Sequence, residues 1–227
     1  MRHQTITSDF KGTGFRKQAT RFAVGLALLT MVCQGLGMPA AHAEPPTAEQ
    51  LTANASKSLE AMTDFKDPNF SMKFPTSWDK ETDGLPPSQI LRAKTIMGAV
   101  NLIVVADKSP NAESIDKFAD TNVNGLKEAF GDKLTISTNE PIKLKNTTGR
   151  LLVMGQEMKD EGKDPIKFKQ YMVLFVSNGT GYGMTCTTID SWYPIFEKVF
   201  KAMADSVEVA QVAKTEASAA PKTEASD

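Results

Sequence analysis

Apolar and polar residues alternate along Phe70-Ser-Met-Lys-Phe74, the period of a half-buried strand. Pro75 ends that strand and Trp78 follows in a loop. A second extended stretch covers Ser88 to Lys94, and a third runs from Val100 to Ala106. In the third, Leu102-Ile103-Val104-Val105 is apolar at every position, which predicts a central strand covered on both faces. The period then changes. Ile115, Phe118, Ala119, Asn122 or Val123, Leu126 and Phe130 recur at helical spacing, with Ser114 or Asn111 as N-cap and Gly131 as C-cap. Four strands follow: Leu134 to Thr138 with an extension through Ile142-Lys-Leu144, Arg150 to Met158, Ile166 to Ser177, and Tyr182 to Ile189. Asn178-Gly179 joins the last two as a tight hairpin turn. The final element is a helix with Pro194 in its first turn and Ile195, Phe196, Val199, Phe200, Met203 and Val207 on its buried face. Consecutive hairpins flanked by helices predict an α+β domain, a mainly antiparallel sheet of about six to seven strands covered by helices.

The ends of the chain follow other rules. Residues 1–21 carry Arg2, Lys11, Arg16, Lys17 and Arg21 against Asp9. An apolar run from Phe22 to Gly37 follows, and Ala41-His42-Ala43 supplies a small-x-small cleavage pattern. This reads as a secretory signal peptide over residues 1–43, since the apolar run is short of the ~20 residues that span a bilayer. The competing reading is an uncleaved helix that holds the protein at the membrane. Residues 44–66 form a lead-in in which Thr47-Ala-Glu-Gln50 fits a capping box. Leu51, Ala55, Leu59 and Met62 share one helical face there. Such a helix either docks a partner or serves as a spacer from the membrane. The domain then occupies 67–209. From 210 to 227 the chain is poor in apolar bulk and repeats KTEAS at 214–218 and 222–226, which predicts a disordered tail.

Composition narrows the chemistry. The whole chain carries 26 basic and 27 acidic residues; without the leader 21 and 26 remain, a net charge of −5. That balance argues against nucleic acid, which demands a basic surface. His3 and His42 both fall in the leader, so residues 44–227 hold no histidine and a single cysteine, Cys186. Ser-His and Cys-His dyads are therefore closed to the mature chain, as is an intrachain disulfide. Cys186, between Met184 and Thr188, reads as a buried small hydrophobe. Zinc and copper sites lack their ligands. The loop Lys159-Asp160-Glu161-Gly162-Lys163-Asp164 is the best oxygen-ligand candidate for calcium, but it lacks EF-hand spacing and reads as a solvated turn. Gly179, Gly181 and Gly183 lie in a hairpin, not between a strand and a helix start, so they do not read as a phosphate loop. Trp78 and Trp192 read as plugs at the core edge. Met72, Met172, Met184 and Met203 read as core filling.

Two phrases carry a resemblance. Phe70-Ser-Met-Lys-Phe-Pro-Thr-Ser-Trp78 resembles the aromatic-x-x-x-aromatic-Pro-x-x-Trp opening of PsbP-like domains. Tyr193-Pro-Ile-Phe196-Glu-Lys-Val199 with Ser206-Val207 resembles their closing helix. The resemblance spans Phe70 to Val209 and implies an α-β-α sandwich. It also implies a mostly non-enzymatic role in binding partner proteins, as in the photosystem II subunit, Mog-type transport cofactors and bacterial envelope members of that family. It carries over no catalytic residue, no cofactor and no metal site. The expected function is an exported, periplasmic accessory protein for an envelope or membrane protein, of open oligomeric state. The alternative is a small-molecule or lipid binder with its pocket between the sheet and the C-terminal helix. A carboxylate-only hydrolase ranks third.

Overall fold

The computed structural model describes residues 45–210, apart from 96, 97, 99, 109–111 and 160–163. The leader, the repeats of the tail, and the centre of the 159–164 loop lie outside the described residues. In chain order the elements are α1 (Ala48–Glu60), β1 (Met62–Asp67), β2 (Phe70–Pro75), β3 (Asp79–Glu81), β4 (Gln89–Lys94) and β5 (Asn101–Asp107). Next come α2 (Ile115–Phe130), β6 (Leu134–Lys143), β7 (Thr148–Met158), β8 (Ile166–Ser177), β9 (Thr180–Ile189), α3 (Tyr193–Asp205) and β10 (Glu208–Val209).

Two antiparallel sheets result. The larger has seven strands in the order β3-β4-β5-β9-β8-β7-β6; the smaller pairs β1-β2-β10. Its logic is two meanders that meet. β3, β4 and β5 run from one edge to the middle, α2 carries the chain across to the far edge, and β6 to β9 return hairpin by hairpin until β9 docks on β5. β5 and β9 therefore lie at the centre and are buried along nearly their whole lengths. Their side chains alternate between two cores. Leu102, Val104, Met184 and Cys186 face α1, α3 and the small sheet. Ile103 and Val105 face α2, with Leu152, Met154, Met172 and Leu174. The α+β expectation and its sandwich layering are met, with the small sheet as an added piece of the α1/α3 layer.

Local chemistry sets the boundaries. Ser114 Oγ accepts from Lys117 N at 3.2 Å to cap α2, and the Gly131 N–H closes its end on Lys127 O. Asn178 and Gly179 both take positive φ, 50° and 72°, as the tight turn between β8 and β9 requires. Thr47 and Gln50 form a reciprocal capping box at the start of α1. That helix is more than a spacer in its packing. Leu51, Ala55 and Ser58 are buried, and β1, which follows directly, pairs with β2 along its full length. The stretch 48–66 thus packs as part of the fold, because the inner faces of β2 and α3 need cover on that side.

Candidate functional site

The residues that carried the resemblance are structural. Phe70, Met72, Phe74 and Trp78 are at most 4% exposed, and Tyr193, Phe196 and Val199 join them in the same core. Phe70 packs on Phe175 and Tyr182 with ring centroids 5.1 and 4.8 Å apart, which pins the small sheet to the large one. Trp78 donates from Nε1 to Ser58 Oγ at 3.0 Å. Trp192 packs against the rim of this core. Met72, Met172, Met184 and Met203 are fully enclosed. The layer between α3 and the sheet, where the alternative reading sought a lipid pocket, is occupied by Phe196, Val199, Phe200 and Met203, each with no exposed surface.

The titratable groups in this layer are quiet. Burial pushes the Cys186 thiol well above its ordinary range, so it stays protonated at physiological pH. Burial also raises Tyr171 and Tyr193, with nearby carboxylates, Glu197 among them, adding to the effect. Tyr193 donates to Glu197 Oε1 at 3.2 Å while Lys169 Nζ sits 5.8 Å from its ring centroid. A protonated, enclosed thiol is neither nucleophile nor metal ligand. Iodoacetamide should therefore leave the Cys186 peptide unmodified in the folded protein and label it fully in denaturant, read by peptide mass spectrometry; labelling at equal rates in both would contradict this packing.

Gly181 and Gly183 are strand residues of β9, so the three glycines build no phosphate cradle. Asp164 and Lys159 are exposed, and the rest of that loop lies outside the described residues. Among the described residues no group of three His, Cys, Asp or Glu side chains is placed to hold a metal. No described helix is long and apolar enough to cross a membrane.

One surface feature is built with care. The end of the β6–β7 hairpin, Pro141 to Thr148, lines a shallow, open surface groove of about 580 Å³. Leu144 N donates to Thr147 O at 2.9 Å and closes the turn. Leu144 is buried, Ile142 is partly buried, and Lys143 and Lys145 are exposed. The turn also grips the chain end. Lys145 N donates to Val207 O at 3.0 Å. The Asn146 carboxamide accepts from Val209 N at 2.9 Å and donates to Val209 O at 2.8 Å, taking the place of a strand partner for β10. Lys145 Nζ meets Glu208 Oε2 at 2.5 Å. The groove is therefore held rigid beside the point where residue 210 leads out of the fold. The sequence marks Asn146 only as the head of an N-x-S/T sequon; its clamping role was not legible because its partner lies 63 residues away.

No family model matches the chain, and no curated protein does. Several solved structures are similar to it. Cyanobacterial PsbP (CyanoP) from Synechocystis sp. PCC 6803 is 12% identical, with a TM-score of 0.49 over 68% of this chain and 94% of that one. LpqN of Mycobacterium tuberculosis, involved in cell envelope biogenesis, is 12% identical, with a TM-score of 0.43 over 66% of this chain and 91% of that one. PA94 from Pseudomonas aeruginosa, a protein of unknown function, is 14% identical, with a TM-score of 0.38 over 64% and 94%.

Proposed function

We propose that this chain is an exported, non-enzymatic binding protein that assists a membrane or envelope protein through non-covalent contacts. The observation that carries the reading is the β6–β7 groove. It is preformed, clamped by Asn146 and Lys145 to β10, and lined by Pro141, Ile142 and Leu144 together with the exposed lysines 143 and 145. A preformed groove spends little conformational entropy on binding. The apolar lining beside exposed Lys143, with Lys145 already paired to Glu208, suits an extended segment of a partner protein that carries an acidic side chain. The PsbP-like motifs at Phe70–Trp78 and Tyr193–Val199 support the same class of role, and the leader supports export.

Photo-cross-linking tests this in cells. p-Benzoylphenylalanine in place of Lys143 should give one dominant adduct with a membrane or envelope protein. The same probe in place of Glu128, on the exposed face of α2, should give none. Equal labelling from both positions, or no adduct from Lys143, would overturn the assignment of the groove.

A further inference from the structure

The chain passes out of the fold on the rim of the β6–β7 groove. Asn146, one of the residues that line the groove, holds both the N–H and the carbonyl of Val209 through its carboxamide. Ala210 N donates to Asn69 O at 2.7 Å, which fixes the next residue as well. Residue 211 therefore starts beside the groove. Residues 211–227 carry Val212 and two copies of Lys-Thr-Glu-Ala-Ser, at 214–218 and 222–226.

Reach and charge fit this segment to the groove. Six extended residues, 211–216, span about 20 Å at most. The three steps from Leu144 back to Pro141 cover only about 10 Å of the hairpin arm. Among the described residues Lys143 has no ion-pair partner, whereas Lys145 meets Glu208. Each repeat sets a lysine two residues before a glutamate, so its extended form presents both on one side, about 7 Å apart. Lys143 and Lys145 are themselves two residues apart, the first open to an acid and the second already holding one. A segment tethered by a few residues meets its site at an effective concentration in the millimolar range. Weak contacts then suffice to seat it.

We propose that the repeat docks in cis on the β6–β7 groove and competes there with the partner segment. Glu216 pairs with Lys143, Lys214 approaches Glu208 beside Lys145, and Val212 with Ala213 lies toward Ile142. The second repeat, with Glu224, is a spare copy of the same ligand. Docking in cis stands on its own. The competition rests on the reading of the groove as a partner site.

NMR spectra of the ¹⁵N-labelled full chain test the docking without any partner. Glu216→Lys combined with Glu224→Lys should shift the backbone amides of Leu144 to Thr148 and leave Gly131 to Lys133, at the far end of β6, unmoved. Lys143→Glu should in turn shift the amides of 214–218. Both substitutions lie far in sequence from the signals they move. Unchanged signals at 144–148, or at 214–218, overturn the docking, and shifts that grow with protein concentration place the tail on a second copy and overturn docking in cis. Competition is read in cells from p-benzoylphenylalanine in place of Thr148, an exposed residue of the groove. Reversing the charge of Glu216 and Glu224 should raise the partner adduct about twofold to fivefold, the range an exposed ion pair commands. An adduct of unchanged yield beside shifted NMR signals overturns the competition. No adduct from either chain refutes the partner reading and the competition with it, and the NMR result then still decides the docking.

Discussion

Gly181→Ala is expected to destabilise the protein by about 2–3 kcal/mol, and Gly181→Val by more. A Cβ at this position would lie 2.4 Å from both Cε2 and Cζ of Phe118 and 2.8 Å from Cδ2. Phe118 has no exposed surface and sits on the inner face of α2 beside Ala119 and Asn122. Its ring cannot retreat without lifting the helix off the sheet. Arg150 Nη2, which donates to Asp116 Oδ1 at 2.8 Å, tethers the same end of α2 to β7 and opposes that movement. Urea unfolding gives the size of the effect. Phe118→Leu alone should also destabilise, by leaving a void over a glycine. Combined with Gly181→Ala it should recover part of both losses, because each change makes room for the other. Additive losses in the double variant, or wild-type stability for Gly181→Ala, would mean that α2 does not press on β9 as described.

That glycine shows where sequence reading stops. The element that fills the space above it is far away in the chain, and only the crossing of α2 from β5 to β6 brings Phe118 there. Features set within a few residues were legible. The helical period of 115–130 with Ser114 as its cap, the Asn178-Gly179 turn, and the unbroken apolar run of β5 all depend on neighbours or on burial from both sides. β1, β3 and β10 were not legible. β1 buries one side chain of six, Phe65, and β3 and β10 are three and two residues long. Pairing to neighbouring strands holds them, not their own pattern. Gln89 and Asn101 were hidden for a related reason: they fall within the predicted strands 88–94 and 100–106, and only the depth at which the sheet holds them makes their unpaired atoms unusual. The groove lies between: its hairpin was expected, but its clamp on Val209 joins the middle of the domain to its last strand, 63 residues away.

The second large effect concerns the start of the fold. Trp78→Ala should cost about 3–5 kcal/mol by emptying an enclosed site. Trp78→Phe keeps most of the packing and should cost less than half of that. Ser58→Ala should cost about 1–3 kcal/mol, because it leaves the indole N–H buried without an acceptor. In the Trp78→Phe background the Ser58 substitution should become nearly silent, since Ser58 Oγ still donates to Asn54 O at 2.8 Å within its own helix and no indole remains to satisfy. This coupling, measured by denaturant unfolding as a double-mutant cycle, tests whether α1 is fastened to the domain. Removing residues up to Glu60 is a stronger form of the same test. It takes away Ser58 together with Leu51 and Ala55, both buried against the α3 core, and should destabilise at least as much as Trp78→Ala. A spacer would be lost without cost. If the truncated chain unfolds at the wild-type midpoint, the domain begins at β1; if it does not, α1 belongs to the fold, and its first structured turn lies at Thr47.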